Sequence, residues 1–284
     1  QSFTQFIKQH PGAWREHSSY ERLDNPNKRL GKDLAVFFPI NAYDSSNWPT
    51  LQNPKRDAIA LAKDLFELYG FIPTTYPNAT ENTIYNSLKK LRGRTYGPDD
   101  QLILYFSGHG YFHSDTEEGF FIPSSGKTLN KNSPFEALKS YIPYSQLASW
   151  VNSIPCPHIL LIVDACRSGT FFPQVAQPKS LEDQPDFLRP SDNNAVRRVR
   201  FIRDALRPRS RFAITSGGNT RTSDGITHSP MTKRFLQSLR TLGGHDGVLT
   251  IHQLYSDASD LFPRPLMGTF GRHETSGSLL FVYE

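Results

Sequence analysis

The chain has 284 residues, of which 37% are hydrophobic and 21% charged, with a formal net charge of +5. This is the composition of a soluble globular protein, long enough for one large domain or two small ones. It contains no apolar run near the roughly 18 residues a membrane-crossing helix needs, and Gln1-Ser2-Phe3-Thr4-Gln5 lacks the basic-then-apolar pattern of a secretory signal.

The only methionines are Met231 and Met267, so the chain is expected to be trimmed or excised from a longer one. Two cysteines, Cys156 and Cys166, are too few for a disulfide scaffold. Both read as reduced thiols, which suggests a reducing compartment such as the cytoplasm. Cys156, between two prolines, is given no role. The basic balance is local. Residues 197–211 hold seven arginines and one aspartate, which leaves the rest of the chain close to neutral. No nucleic-acid or membrane partner is expected.

Residues 1–32 are polar with scattered aromatics and read as an N-terminal extension. Asp33–Ile40 is the first core strand, followed by a loop and an irregular stretch over 45–52. Ala58, Leu61, Leu65 and Leu68 share a face at spacings of three and four, which predicts a helix from Pro54 to Tyr69 that Gly70 ends. Thr74–Tyr76 is a short strand, and Thr83–Leu91 a helix. Gln101–Phe106 is a core strand ending in Ser107-Gly108-His109-Gly110. Gly119–Pro123 is a short strand, and Tyr144–Asn152 a helix. His158–Val163 is a continuous apolar strand of the doubly buried kind, ending in Asp164-Ala165-Cys166-Arg167-Ser168-Gly169. A long proline-broken linker follows over 171–210, ending in the arginine run. Arg211–Ser216 is a further strand, ended by Gly217-Gly218. Met231–Leu239 and Leu249–Leu261 read as helices and Ser278–Tyr283 as a closing strand. This alternation predicts an α/β fold, a mainly parallel sheet of about six strands with helices on both faces.

Two core strands therefore end in chemically loaded loops. If they are parallel neighbours, His109 and Cys166, 57 positions apart, arrive at one sheet edge. That edge is where open α/β sheets bind ligands. A thiol needs a base or a positive field to become a nucleophile, and an imidazole is the usual partner. The amides of Gly110 and Cys166 would suit a developing oxyanion. Taken singly, Cys166 is equally a packing residue and His109 a turn residue.

The paired motifs resemble the caspase-like cysteine peptidases, the clan of caspases, metacaspases and paracaspases, over residues 33–283. Val36–Asp44, Asp57 and Phe212–Ser216 extend the resemblance. It implies a caspase-like sandwich with a large part over 33–170 and a small part over 211–284. It implies His109 as general acid/base, Cys166 as nucleophile, and Gly110 with Cys166 as oxyanion hole. Caspases proper line the first pocket with arginines and cleave after aspartate. Asp57, Ser107 and Asp164 instead match the acidic pocket of the metacaspase and paracaspase branch, which implies cleavage after Arg, then Lys. The plainer readings are a solvated helix-start carboxylate for Asp57 and a turn cap for Asp164. Asp224 is a weaker third pocket carboxylate. Ser216-Gly217-Gly218 resembles the segment that pairs with substrate backbone.

The resemblance also makes the linker a processing segment, with Arg198, Arg200, Arg203, Arg207 and Arg209 as sites for self-cleavage or an upstream activating protease. A solvated basic loop is the alternative. Such domains serve regulated proteolysis, as in cell death or defence. Some metacaspases need calcium, and Asp115–Glu118 is the candidate cluster; otherwise no cofactor is expected. An inactive caspase-like adaptor is the alternative function. A phosphate-binding α/β domain and a metal hydrolase are weaker, because no phosphate-loop pattern and no complete ligand set is visible.

Overall fold

The computed structural model describes residues 31–129, 134–166, 168–171, 195–217, 225–243 and 247–283. The expected N-terminal extension lies outside these residues, apart from its last two positions, as does most of the linker.

Six strands form the central sheet: β1 (Asp33–Pro39), β2 (Ile72–Thr75), β3 (Gln101–Gly108), β7 (His158–Ala165), β8 (Ser210–Thr215) and β10 (Leu266–Thr269). Their order is β10-β8-β7-β3-β1-β2. All pairs are parallel except β10 with β8. The α/β sandwich read from the sequence is therefore the observed fold. β3 and β7, at the centre, are buried at every position, as their unbroken apolar runs require.

Strand alternation divides the core into two layers. Ala35, Phe37, Ile103, Tyr105, Leu160, Ile162, Phe212 and Ile214 face one layer, with helices α1 (Pro54–Tyr69), α6 (Pro230–Leu239) and α7 (Ile251–Ala258). Val36, Phe38, Leu102, Leu104, Phe106, Ile159, Leu161 and Val163 face the other, with α2 (Glu81–Arg92) and α4 (Tyr144–Asn152). Local signals place the helix ends. Pro54 opens α1 and Gly70 closes it in the left-handed region at φ 72. Thr80 caps α2 by accepting from the Thr83 amide. Beyond the carboxyl end of β3, a three-stranded meander of β4 (Gly110–His113), β5 (Glu118–Phe121) and β6 (Ile142–Pro143) turns the chain back over the sheet. The short helix α3 (Pro134–Leu138) lies between β5 and β6.

Three expectations are corrected. The sixth strand of the sheet is β10, not the C-terminal stretch. The latter, β11 (Leu280–Val282), pairs with β9 (Val248–Thr250) in a separate two-stranded sheet. β10 escapes sequence reading because a four-residue edge strand carrying Gly268 has no periodic signal. The helix expected to start at Leu249 starts instead at Ile251, capped by Thr250, whose side chain and Gln253 form a reciprocal capping box.

Thirdly, the basic end of the 171–210 linker, read as flexible, is largely helical. Residues 195–205 form helix α5 (Ala195–Ala205). Arginine is a good helix former, and its charge hides an apolar face. Ile202, Ala205 and Leu206 pack on Val248, Leu280 and Val282, with Arg197, Arg200, Arg203 and Arg207 exposed. Arg198 is held by the Tyr283 carbonyl at 3.2 Å. Arg209 then leads into β8, whose Ser210 pairs with His158 at the amino end of β7. From His158 to Cys166 is eight residues of extended chain, about 26 Å at ~3.3 Å per residue. The arginine run thus sits at the far end of the sheet from Cys166.

Candidate active site

The register of β3 on β7 sets the chemistry. Ser107 pairs with Asp164 and Gly108 with Ala165, so His109 and Cys166 are the next residues on two adjacent parallel strands. Neighbouring strands lie about 4.8 Å apart. Gly110, which starts β4, is packed on the turn at Cys166: a Cβ there would fall 2.0 Å from the Cys166 carbonyl oxygen. Only glycine fits this approach. Tyr144 on α4 donates to the same carbonyl at 3.5 Å, and burial pushes its phenol up, so it remains a neutral donor. Both His109 and Cys166 are half-buried.

The histidine is held by the loop after β1. Its Nε2 lies 2.7 Å from the Pro49 carbonyl oxygen. A carbonyl only accepts, so Nε2 carries the hydrogen and Nδ1 is the basic nitrogen of the neutral ring. The His109 amide donates to the Tyr43 hydroxyl at 2.7 Å. This anchors backbone as well as ring.

Asp164 points from β7 into the layer beneath α6. It is 7% exposed, and Asp57, in the first turn of α1, is 1% exposed. One residue bonds both. The Ser229 amide donates to Asp57 Oδ2 at 3.1 Å, and the Ser229 hydroxyl donates to Asp164 Oδ2. Ser229 is also the N-cap of α6, accepting from the Thr232 amide at 3.1 Å, with Pro230 at the first helical turn. The positive end of α6 therefore faces the two carboxylates. Tyr105 and Thr232 hydroxyls approach Asp164 Oδ2 at 3.4 Å each. Ser107 joins this network through the Tyr105 phenol. His228 Nδ1 lies 2.5 Å from Asp57 Oδ1. The segment is tied to α1 by the Asn53 amide nitrogen on the Gly225 carbonyl at 3.0 Å.

Burial raises the Asp164 carboxyl above its ordinary range, although Ser229, Ser216, Tyr105 and Thr232 all bond its charged form. The partners of Asp164 are all neutral. Burial, with the cations Arg56, Arg240 and Lys233, lowers His228 below the usual imidazole range. A carboxylate only accepts, so His228 presents its Nδ1 hydrogen to Asp57.

Ser216 and Gly217 follow β8 at the same edge. The Ser216 amide donates to the Val163 carbonyl at 3.1 Å, and its hydroxyl to the Ala165 carbonyl at 3.5 Å. Gly217 accepts from the Ser168 hydroxyl at 3.4 Å. Both are buried against β7. Gly218 and Asp224 lie outside the described residues. The acidic stretch expected to offer calcium ligands is dispersed: Glu118 accepts from the Ser145 amide at the start of α4, and Asp115 from the Ser114 hydroxyl. Among the described residues, no three His, Cys, Asp or Glu side chains cluster in a way that could hold a metal ion. Cys156 is fully buried, 3.4 Å from the Asp100 and His158 carbonyls, as a packing residue.

The family model for the caspase domain, peptidase family C14, matches residues 32–263. This chain belongs to the caspase family. The domain is thus a cysteine peptidase domain by family. The crystal structure of caspase-1 from Spodoptera frugiperda superposes with a TM-score of 0.53 at 14% identity, covering 87% of this chain and 90% of that one. That likeness bears on the fold alone. No curated protein matches in sequence.

Sequence reading missed two parts of this caspase-family site. The Pro49 carbonyl is a backbone atom on a stretch with no period, and nothing in side-chain chemistry points to it. Ser229 could have been found: Ser-Pro before an apolar helix is an N-cap signature. Its bonds to Asp57 and Asp164, 172 and 65 positions away, could not.

Proposed function

We propose that this caspase-family domain is a cysteine endopeptidase that cuts after arginine, and more slowly after lysine, in the manner of the metacaspase and paracaspase branch. His109 Nδ1 takes the proton of Cys166, and the thiolate attacks the scissile carbonyl. The oxyanion is met by the Gly110 and Cys166 amides. Imidazolium then protonates the leaving amine, the thioester forms, and water with His109 as base releases the acid.

The observation that carries the specificity is the buried pair Asp57 and Asp164 joined through Ser229. A carboxylate that burial drives toward protonation, with only neutral partners, gains most from a cation brought in by the substrate. A guanidinium, planar and with five donors, can bond two carboxylates at once; an ammonium is a point charge. Ser216 and Gly217 border the substrate channel in this reading.

Processing between the large and small parts acts between molecules in this reading. Arg198, Arg200 and Arg203 lie in a packed helix, and Arg207 and Arg209 lie a sheet's length from Cys166. A second molecule, or another basic-specific protease, would have to cut there, and α5 must first unwind. Domains of this kind serve regulated proteolysis such as cell death or defence, and a reducing, cytoplasmic setting suits the free nucleophile.

The test uses peptide reporters ending in Arg, Lys or Asp, with and without a thiol alkylator. Alkylator-sensitive turnover in the order Arg over Lys, with none after Asp, is expected. Turnover of the Asp reporter alone sinks the acidic pocket. No turnover of any reporter by folded protein, before or after limited cleavage near 197–211, favours the inactive adaptor.

A further inference from the structure

One loop touches His109 on three sides. The segment from Asn41 to Leu51 is closed at its neck: the Leu51 amide donates to the Asn41 carbonyl at 2.9 Å, and Asn41 Nδ2 to the Leu51 carbonyl at 2.8 Å. Asn78 Oδ1 accepts from the Asn41 and Ala42 amides, and the Asp44 amide donates to the Ser124 carbonyl. This fixed loop supplies the Pro49 carbonyl to Nε2. It also supplies two aromatic rings. Tyr43 lies 5.0 Å from the imidazole, centroid to centroid, tilted by 43°, and Trp48 lies at 5.4 Å, tilted by 38°. Trp48 is braced in turn by an edge contact with Tyr141 at 5.7 Å.

We infer that Tyr43 and Trp48 form an aromatic seat for the protonated state of His109, and so act as positioning residues that favour the thiolate–imidazolium pair. The inference rests on the dyad reading. It is independent of the acidic pocket.

The chemistry follows from what the ring must do. When His109 takes the Cys166 proton it becomes a cation with Nε2–H already committed to Pro49. Both rings lie within the ~6 Å at which an aromatic face attracts a cation, and tryptophan has the strongest face. A neutral imidazole gains only packing from the same contacts. The seat therefore favours the charged ring over the neutral one. The titratable groups carried by the elements around the ring are Cys166 after β7, Tyr43 and Asp44 on the loop, Tyr111 on β4, and Tyr144 on α4. Tyr144 is kept neutral by burial.

The direct readout is the rate at which iodoacetamide alkylates Cys166 as a function of pH, with the modified residue assigned by mass spectrometry; Cys156 is fully buried. In Trp48→Leu the half-maximal rate is expected at higher pH, with alkylation below neutrality slower by about fivefold, the size of a partly desolvated cation–π contact. The bell of kcat/KM should narrow from both limbs, because thiolate appears later and imidazolium is lost earlier. A packing defect alone would lower the bell without narrowing it. If Trp48→Leu does not fold, replacing tryptophan by its 5-fluoro and 5,7-difluoro forms weakens the π face at nearly constant shape. A stepwise shift with fluorine count is then expected. A folded Trp48→Leu with an unchanged alkylation profile, or a flat fluorine series, overturns the inference. His109→Ala separates the two levels. If it too leaves the profile unchanged, the dyad fails and the seat with it; if it removes the profile while Trp48 changes do nothing, only the seat fails.

Discussion

The two ends of the central sheet each bury a charge, and they do so with opposite consequences. At the carboxyl end, Asp57 and Asp164 lie on either side of Ser229 and take hydrogen bonds from hydroxyls, an amide and an imidazole. At the amino end, Arg211 on β8 is 0% exposed. Its guanidinium donates to the backbone carbonyls of Pro157, Ser210 and Ile154 at 2.8, 2.9 and 3.1 Å. Burial pulls it down to about 10, so it stays charged at neutral pH. The cation thus adds a donor to three buried carbonyls, that of Ile154 just past the C-terminus of α4 among them, and it rests in the negative field there. The carboxylates satisfy no such need: their hydroxyl and amide partners have other uses, as cap and core. A buried charge that completes the fold belongs to stability, and one that the fold merely tolerates is open to a ligand.

That contrast is broken most sharply at Asp164. Asp164→Asn keeps an acceptor for Ser229, Tyr105 and Thr232 but removes the charge. Turnover of the Arg reporter is expected to fall on the order of 1,000-fold, as when one member of a buried hydrogen-bonded charge pair is lost. The melting temperature should hold or rise. The sign follows from linkage. A carboxyl whose value in the fold is raised binds more protons folded than unfolded. Its ionisation therefore costs stability as pH rises from the ordinary carboxylate range through the raised value, and the cost persists above it. The variant escapes that cost. Loss of both turnover and stability would make Asp164 structural and remove the pocket argument.

Arg211→Met is the converse. It removes three hydrogen bonds to buried carbonyls, of which that of Pro157 keeps the Ser210 amide, and unfolding free energy by denaturant titration should drop by about 3 kcal/mol. The kcat/KM of the folded fraction should be unchanged. A variant as stable as the parent would mean that the carbonyls find other donors.

A smaller effect distinguishes the two ends by pH alone. Arginine in the pocket favours ionised Asp164, so KM for the Arg reporter should rise as pH falls through the carboxyl's raised range. The change should be about tenfold per unit once Asp164 is largely protonated. A reporter with an uncharged residue at that position should show no such term. Equal acid limbs for both reporters would place the titration at the dyad instead.

How much of this was legible in the sequence follows the same division. β3 and β7 could be read because strands buried on both faces must be continuously apolar, and their endings could be read because His109 and Cys166 interrupt those runs. The 3.6-residue period placed α1, and the family resemblance rather than the period singled out Asp57 on it. What escaped lacks a period or depends on distant pairing. β10 is four residues at an edge, β9 is three, and α5 hides Ile202, Ala205 and Leu206 among arginines. The Pro49 carbonyl has no side chain to announce it. Arg211 read as one more arginine of a basic run, because burial is set by what α4 and β7 place over it and not by its neighbours in sequence.

The finest test of the carboxyl end is Ser229→Gly. Glycine at an N-cap costs only a few tenths of a kcal/mol relative to serine, so the start of α6 survives, and the amide bond to Asp57 with it. The hydroxyl's bond to Asp164 is lost, together with its cap on the Thr232 amide. In the parent that hydroxyl fixes Asp164 Oδ2 while the amide of the same residue fixes Asp57 Oδ2. The two acceptor edges are thereby held at one separation. A guanidinium, whose two terminal nitrogens are rigidly spaced, gains from a fixed separation; a lysine ammonium gains little. Releasing Asp164 should therefore cost the Arg reporter more than the Lys reporter and reduce the Arg-to-Lys ratio of kcat/KM by about fivefold, one weakened charge-assisted hydrogen bond. If both reporters weaken equally, Ser229 only supports α6 and the preference for arginine lies in the carboxylates alone; if the ratio rises, the hydroxyl competes with the substrate for Asp164.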